Sequence, residues 1–306
     1  IGRRRCYEQS SRLGHWRELF PERLIGEVTR DDLRDFQRAL KAKGLANKTI
    51  NLILDVGVIA LNWLHENRKV EDNPADGLKK FSGATAKKRG ILTVEEARQV
   101  FSMPWRDERA RVGNLVAMTT GLRQGEIVAL RREDIGEDRI YLRHSWSFAD
   151  GLKAPKNGEA RTAPLLPPVR DELLRLADAN PHGADGFIFY HVEPDRPCDG
   201  EVLRKGLLHA LVDLTLQGAE ADKKKRREIR KAWSDRGVCF HSWRHFYSRH
   251  IGDRVDVRIL QLATGHKTAA MAEHYADHAQ AKDFAQLSEA AKQAFGIVVP
   301  DGRRTA

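Results

Sequence analysis

The chain changes its period over residues 139–166, RIYLRHSWSFADGLKAPKNGEARTAPLL. Arg139-Ile140-Tyr141-Leu142-Arg143 alternates polar and apolar side chains, which is strand spacing. Asn157-Gly158 is a tight-turn signal, because both residues tolerate positive φ, and a strand-like run over 160–166 follows it. A small antiparallel β-sheet is therefore expected here. Helical spacing dominates on both sides. Upstream, Thr93-Val94-Glu95-Glu96 has the form of a capping box, in which threonine and glutamate satisfy helix-end amides reciprocally. Helical sequence then continues through Leu130 to an acidic break at Glu133-Asp134. Downstream of Pro168, Leu173, Leu174 and Leu176 belong to one helix, and Leu203, Leu207, Leu208 and Leu211 to another. The spacing predicts a mainly α domain with a small antiparallel β-sheet.

A separate helical module is expected at the N-terminal end. Thr29 reads as an N-cap, with Asp31 and Asp32 in the first turn and Leu33, Phe36 and Leu40 at helical spacing before Gly44. A second helix starts near Asn47, places Ile50, Leu54, Leu61 and Leu64 along one face, and runs out before Asn73-Pro74. The polar stretch 82–90 reads as an exit linker, which divides the chain into a helical domain over 1–82, a linker over 83–92 and a second domain over 93–306. A hydrophobic content of 41% over 306 residues is enough for two cores and excludes wholesale disorder. No stretch approaches the roughly 20 apolar residues of a membrane-spanning helix, so a soluble intracellular protein is expected. The start at Ile1 reads as that of a fragment or processed product. Cys6, Cys198 and Cys239 are far apart and odd in number, which fits neither a disulfide framework nor a Cys-x-x-Cys metal site.

With 53 Lys and Arg against 43 Asp and Glu, the net charge of +10 points to a polyanion as partner. Binding DNA needs only dispersed cations. Cutting a phosphodiester without metal needs a nucleophile, proton-transfer groups and clustered guanidiniums, whose forked donors suit the charge-dispersed transition state. Arg123 lies in Thr120-Gly121-Leu122-Arg123-Gln124-Gly125-Glu126, where the bracketing glycines allow a tight turn that presents its side chain. Arg244 lies in His241-Ser242-Trp243-Arg244-His245, and His266 follows Gly265 with Tyr275 nine residues later. Singly, Arg123 would read as a solvated arginine and Tyr275 as a half-buried aromatic. His274 and His278 share a helical spacing, but without a His-Glu-x-x-His pattern they read as a polar face rather than a metal site. The run Lys223-Lys224-Lys225-Arg226-Arg227, with Arg230 and Lys231 beyond it, reads first as a solvated helix face and second as a contact for DNA phosphates.

Together these motifs resemble the tyrosine recombinase family, the phage-integrase type of site-specific recombinase, over nearly the whole chain. Its first box resembles residues 120–126, which carries over a catalytic arginine to Arg123 and a supporting acidic residue to Glu126. Its His-x-x-Arg-His box matches residues 241–245, assigning His241 and Arg244, and its Gly-His followed by tyrosine matches His266 and the nucleophile Tyr275. Its hairpin lysine matches Lys156, with Lys153 three residues earlier as the competing register. Trp243 and Thr264 stand where the family usually has leucine, which bears on packing rather than on chemistry.

The resemblance implies an N-terminal core-binding domain that clamps DNA and a mixed α/β catalytic domain. It implies strand cleavage and rejoining through a 3′-phosphotyrosyl link, with no metal, cofactor or ATP. Lys223, Lys224, Lys225, Arg226, Arg227 and Lys48 are the candidate DNA contacts, with a solvated face the first reading of the basic run. The implied partners are double-stranded recombination sites, three further copies in a homo-tetramer, and accessory DNA-bending proteins, in the cytoplasm at the nucleoid and away from membranes. In the tail, Phe284, Leu287, Ala291 and Phe295 form a narrow apolar stripe on a helix over 279–295, for which docking into a neighbouring protomer is expected over folding back. The rival readings are a type IB topoisomerase, which reseals the same strand, and a DNA-binding protein without catalysis.

Overall fold

The computed structural model describes residues 2–82, 90–155, 160–256, 259 and 277–296, and the chain divides into two units, Ile1–Lys87 and Lys88–Ala306. The first unit holds α1 (Arg3–Leu19), α2 (Arg30–Ala42) and α3 (Asn47–Glu66). α2 begins at the expected cap: the Thr29 hydroxyl accepts from the Asp32 amide at 3.2 Å, and the Asp32 carboxylate accepts from the Thr29 amide at 2.8 Å. Leu33, Phe36 and Leu40 are buried against Ile50, Ile53, Leu54 and Leu61 of α3. Leu64, expected on the same face, is only half-buried.

α1 has no apolar stripe in its sequence and was not foreseen. It is attached through Trp16, whose ring lies 4.6 Å from that of Phe36 and whose Nε1 donates to the Ile53 carbonyl at 2.8 Å. The indole occupies the place of a side chain on α3. A Cβ added at Gly57 would lie 2.1 Å from Trp16 Cζ2, so glycine here is a packing requirement.

The second unit is organised around α5 (Glu108–Thr120), of which residues 110–120 are all buried. A helix buried on every side must be sheathed by others. α6 (Gln124–Val128), α7 (Pro167–Asp178), α8 (Gly200–Leu216) and α10 (Ser242–Gly252) pack against it. α4 (Val94–Ser102) starts at the Thr93–Glu96 capping box, and α9 (Lys223–Asp235) packs on α8. The β structure is two sheets rather than one. β1 (Arg139–Leu142) pairs antiparallel with β4 (Arg161–Pro164), with Leu142 opposite Arg161. β2 (Ser145–Ser147) and β3 (Gly151–Lys153) form a second antiparallel pair, inserted between them in the chain. Asn157-Gly158 lies outside the described residues.

The tail helix α11 (Asp277–Phe295) packs on α10 and β4 of its own domain. Leu287, Ala291 and Phe295 are buried, and the Phe295 ring stacks 5.8 Å from Tyr247 and 6.3 Å from Phe246. Phe284 is half-buried with the Arg139 guanidinium 4.1 Å from its ring centre. Within the single chain, α10 offers an aromatic seat for the last residue of the stripe.

Gly57→Ala provides a test of the first unit. Alanine favours helix, but its methyl collides with a rigid indole, so a net destabilisation of about 1–3 kcal/mol is expected. Urea denaturation followed by tryptophan fluorescence measures it, and a more stable variant would mean that Trp16 does not anchor α1.

Candidate active site

The site starts where α5 ends. Gly121 closes the helix with φ of 67°, a left-handed conformation that favours glycine, and its amide donates to Ala117 at 3.0 Å. A Cβ there would also come within 2.6 Å of the Tyr247 ring. The turn sends Leu122 into the core and leaves Arg123 at the N-cap of α6.

Glu126, in the first turn of α6, is 1% exposed and binds in two directions. Its Oε2 accepts from the Arg123 amide at 2.9 Å, and its Oε1 accepts from Arg123 Nη1 at 3.0 Å. Arg161 Nη2, from the start of β4, donates to Oε2 at 2.8 Å. Burial pushes the Glu126 carboxyl up, but the hydrogen bond and charge of Arg161, followed by the amide and charge of Arg123, outweigh it and hold the group below its ordinary 4.5. Glu126 is therefore a fixed anion at neutral pH.

Arg244 in α10 is 3% exposed and donates from Nη1 to the Gly121 carbonyl at 2.9 Å, on the same turn that presents Arg123. Burial, reinforced by the positive charge of Arg123 and opposed by Glu126, lowers its pKa to about 10. Three guanidiniums thus act on one carboxylate, an excess of positive charge suited to an anion.

α10 is locked to the helices behind it through Trp243. Its buried ring packs against Phe101 and Phe246, and its Nε1 donates to Asn114 Oδ1 at 2.8 Å. Asn114 in turn donates to the carbonyls of Ala110 at 2.7 Å and Leu203 at 3.0 Å. The indole's one polar atom is satisfied by a buried asparagine, which accounts for tryptophan at a leucine position. His241 precedes α10, and its ring stands edge-on to that of His245 at 5.2 Å. Tyr247 is buried with its hydroxyl unpartnered among the described residues, and burial pushes its pKa well above the usual phenol value.

Arg123, Glu126 and Arg244 are thus gathered around one turn, with His241 at the start of the helix that carries Arg244. Lys156, Thr264, Gly265, His266, His274 and Tyr275 lie outside the described residues, as does the side chain of His278. Arg161 was missed. The signal for it was cross-strand: an arginine opposite the buried Leu142, where both side chains share a face.

Farther off, α9 exposes Lys223, Lys224, Lys225 and Arg227, while Arg226 is half-buried and bound to Asp213 at 2.9 Å. Arg227 and Lys231 border a cleft of about 570 Å³ between α8 and α9, floored by Leu207, Leu208 and Phe240. Lys48 is exposed in the first turn of α3.

The family model described as the phage integrase family matches residues 91–282, from the start of the second unit to the tail helix. The chain belongs to the phage integrase family. It is 28% identical to the ICEBs1 integrase of Bacillus subtilis (strain 168) over 170 residues, covering 54% of this chain and 45% of that protein. With tyrosine recombinase XerC of Rhodospirillum centenum (strain ATCC 51521 / SW) the identity is 25% over 189 residues, covering 61% of this chain and 47% of the other. The match therefore spans less than half the length of these relatives. Among solved structures, an integrase fragment of transposon Tn1549 in complex with transposon right-end DNA aligns over 90% of this chain and 91% of its own, with a TM-score of 0.64 and 19% identity. A lambda integrase tetramer bound to a Holliday junction aligns over 90% of this chain and 75% of its own, with a TM-score of 0.64 and 16% identity. This phage-integrase chain has their mainly helical fold.

Glu126→Gln keeps the shape and removes the charge, leaving buried guanidiniums without their anion. A loss of about 3 kcal/mol is expected at pH 7. Because the folded carboxyl titrates below 4.5, the stability it lends is complete above that value and lost as pH falls through the lowered folded value. The stability gap between wild type and variant, read by urea denaturation, should close in acid; a gap of constant size from neutral to acid would show that the charge is not what matters.

Proposed function

We propose that this chain is a site-specific DNA recombinase that cuts and rejoins strands through a 3′-phosphotyrosyl intermediate. The observation that carries this reading is the pairing of Arg123 and Arg244 on one glycine turn, in a chain whose motifs and family are those of integrases. In the proposed reaction the Tyr275 oxygen attacks the scissile phosphorus and the bond to the 5′-oxygen breaks, with Lys156 delivering a proton to that leaving oxygen. His241 assists removal of the tyrosine proton. Arg123, Arg244 and His266 neutralise the non-bridging oxygens, and the 5′-hydroxyl of a partner strand later reverses the step. The phosphodiester energy is kept in the tyrosyl link, so neither nucleotide hydrolysis nor metal is required. Glu126 orients Arg123 and does not carry protons, a role supported by its saturation with arginine donors.

The basic face of α9, with Lys223, Lys224, Lys225, Arg226 and Arg227, together with Lys48, binds DNA phosphates in this reading. The helical domain over 1–82 and the catalytic domain over 93–306 both bind the duplex in this reading, and four protomers hold two duplexes with the help of DNA-bending proteins at the nucleoid. Exchange of the tail between protomers would require Phe295 to leave its seat on α10. The likeness to integrases favours strand exchange over resealing by a topoisomerase.

A nicked suicide substrate in excess EDTA provides the test. A covalent adduct at Tyr275 is expected, absent from Tyr275→Phe with DNA binding kept. Arg123→Lys and Arg244→Lys keep the charge but lose the fork, so cleavage should fall by about two orders of magnitude with little change in affinity. Wild-type cleavage by both lysine variants, or an adduct at another residue, would refute the assignment. Replacing Lys223, Lys224 and Lys225 by alanine should flatten the salt dependence of DNA binding by about one unit of slope for each phosphate that is no longer neutralised. An unchanged slope would return the run to a solvated face.

A further inference from the structure

We infer that Arg161 is a positioning residue, which holds Glu126 from the β1–β4 pair so that Arg123 stays in its phosphate-facing geometry. The inference rests on the recombinase reading above. Glu126 has two oxygens, and the structure shows how they are divided. Oε1 serves the Arg123 guanidinium, while Oε2 serves the Arg123 amide and Arg161 Nη2. The Arg161 side chain is 15% exposed and the carboxylate 1%, so water competes weakly for either partner. The bond joins two elements far apart in the chain, α6 and β4, and β4 is the strand that follows Lys156.

Two further observations argue against a merely stabilising pair. Arg161 Nε is buried and has no hydrogen-bond partner among the described residues. An unmade buried donor is unfavourable, and an apolar side chain of the same volume would avoid it. Arg161 also adds to the positive field felt by Arg244. Guanidinium at this place therefore carries a local cost at Nε while raising the charge of the cluster. Without Arg161, Oε2 would keep only the Arg123 amide, and Glu126 could turn both oxygens toward the Arg123 fork. That would turn the planar donors away from a phosphate and cancel more of their charge. Sharing one carboxylate between two arginines prevents this.

The experiment uses the full chain with Arg161→Met and Arg161→Lys, each also in a Glu126→Gln background. On nicked site DNA, Arg161→Met should cleave about 10- to 100-fold more slowly, the loss expected from misplacing a catalytic group by about an ångström, with site binding unchanged within about twofold. Arg161→Lys, which keeps one donor for Oε2, should recover part of the rate. In the Glu126→Gln background the effect of Arg161→Met should largely vanish, since the two residues act through one contact. An equal fold-loss in both backgrounds, or wild-type cleavage by Arg161→Met, would overturn the inference. If the methionine variant does not fold, the lysine variant decides: intermediate cleavage supports the inference and full cleavage overturns it. A readout independent of DNA is the carboxyl NMR titration of Glu126, whose midpoint should rise in both Arg161 variants; an unmoved midpoint overturns the inference. Should the wild type form no adduct, the recombinase reading fails, and the titration still reports whether Arg161 holds Glu126.

Discussion

One buried carboxylate sets the geometry of the candidate site. Guanidiniums repel one another, and two cannot be packed close together in a protein interior without an anion near them. Glu126 is that anion, held ionised by Arg161 and by the amide and side chain of Arg123. Because it lies in the first turn of α6, its charge also faces the positive end of a helix and caps the Arg123 amide. The remaining cation, Arg244, is tied by the Gly121 carbonyl to the turn that places Arg123. A rigid site of this kind is suited to stabilising negative charge as it develops, because its dipoles need no rearrangement.

That arrangement depends on the wholly buried helix behind it. α5 carries the turn at its C-terminal end and packs against α10, so the elements that carry Arg123 and Arg244 share one support. The Trp243–Asn114 bond and the Asn114 bonds to Ala110 and Leu203 add directional ties to an otherwise apolar interface. Tyr247 joins the same wall from the other side, touching Gly121 with one edge and stacking on Phe295. The tail helix is thus mechanically continuous with the arginine turn.

Much of the fold was legible because it obeys local rules. Thr29 and Thr93 sit at helix starts as their capping patterns require, and Leu33, Phe36 and Leu40 face inward at helical spacing. What escaped was what only tertiary contact decides. α1 has almost no apolar face and is held chiefly by Trp16, with Leu19 beside it, so no periodicity announced it. The β1–β4 and β2–β3 pairs separate into two sheets although the strand signal read as one. In the site, Arg123, Glu126 and Arg244 stood in recognisable spacings, whereas Arg161 belongs to a strand too short to show alternation. The direction of the tail was not legible either, since an apolar stripe specifies that it is buried but not by which chain.

The most direct test of the account is a crystal structure of the chain bound to its own site DNA, with distances measured from the scissile phosphate. Arg123 and Arg244 should hold the same phosphate while Glu126 keeps its bonds to Arg123 and Arg161 near 3.0 and 2.8 Å. A phosphate bound away from these two arginines, or a Glu126 turned out of its buried position, would contradict it.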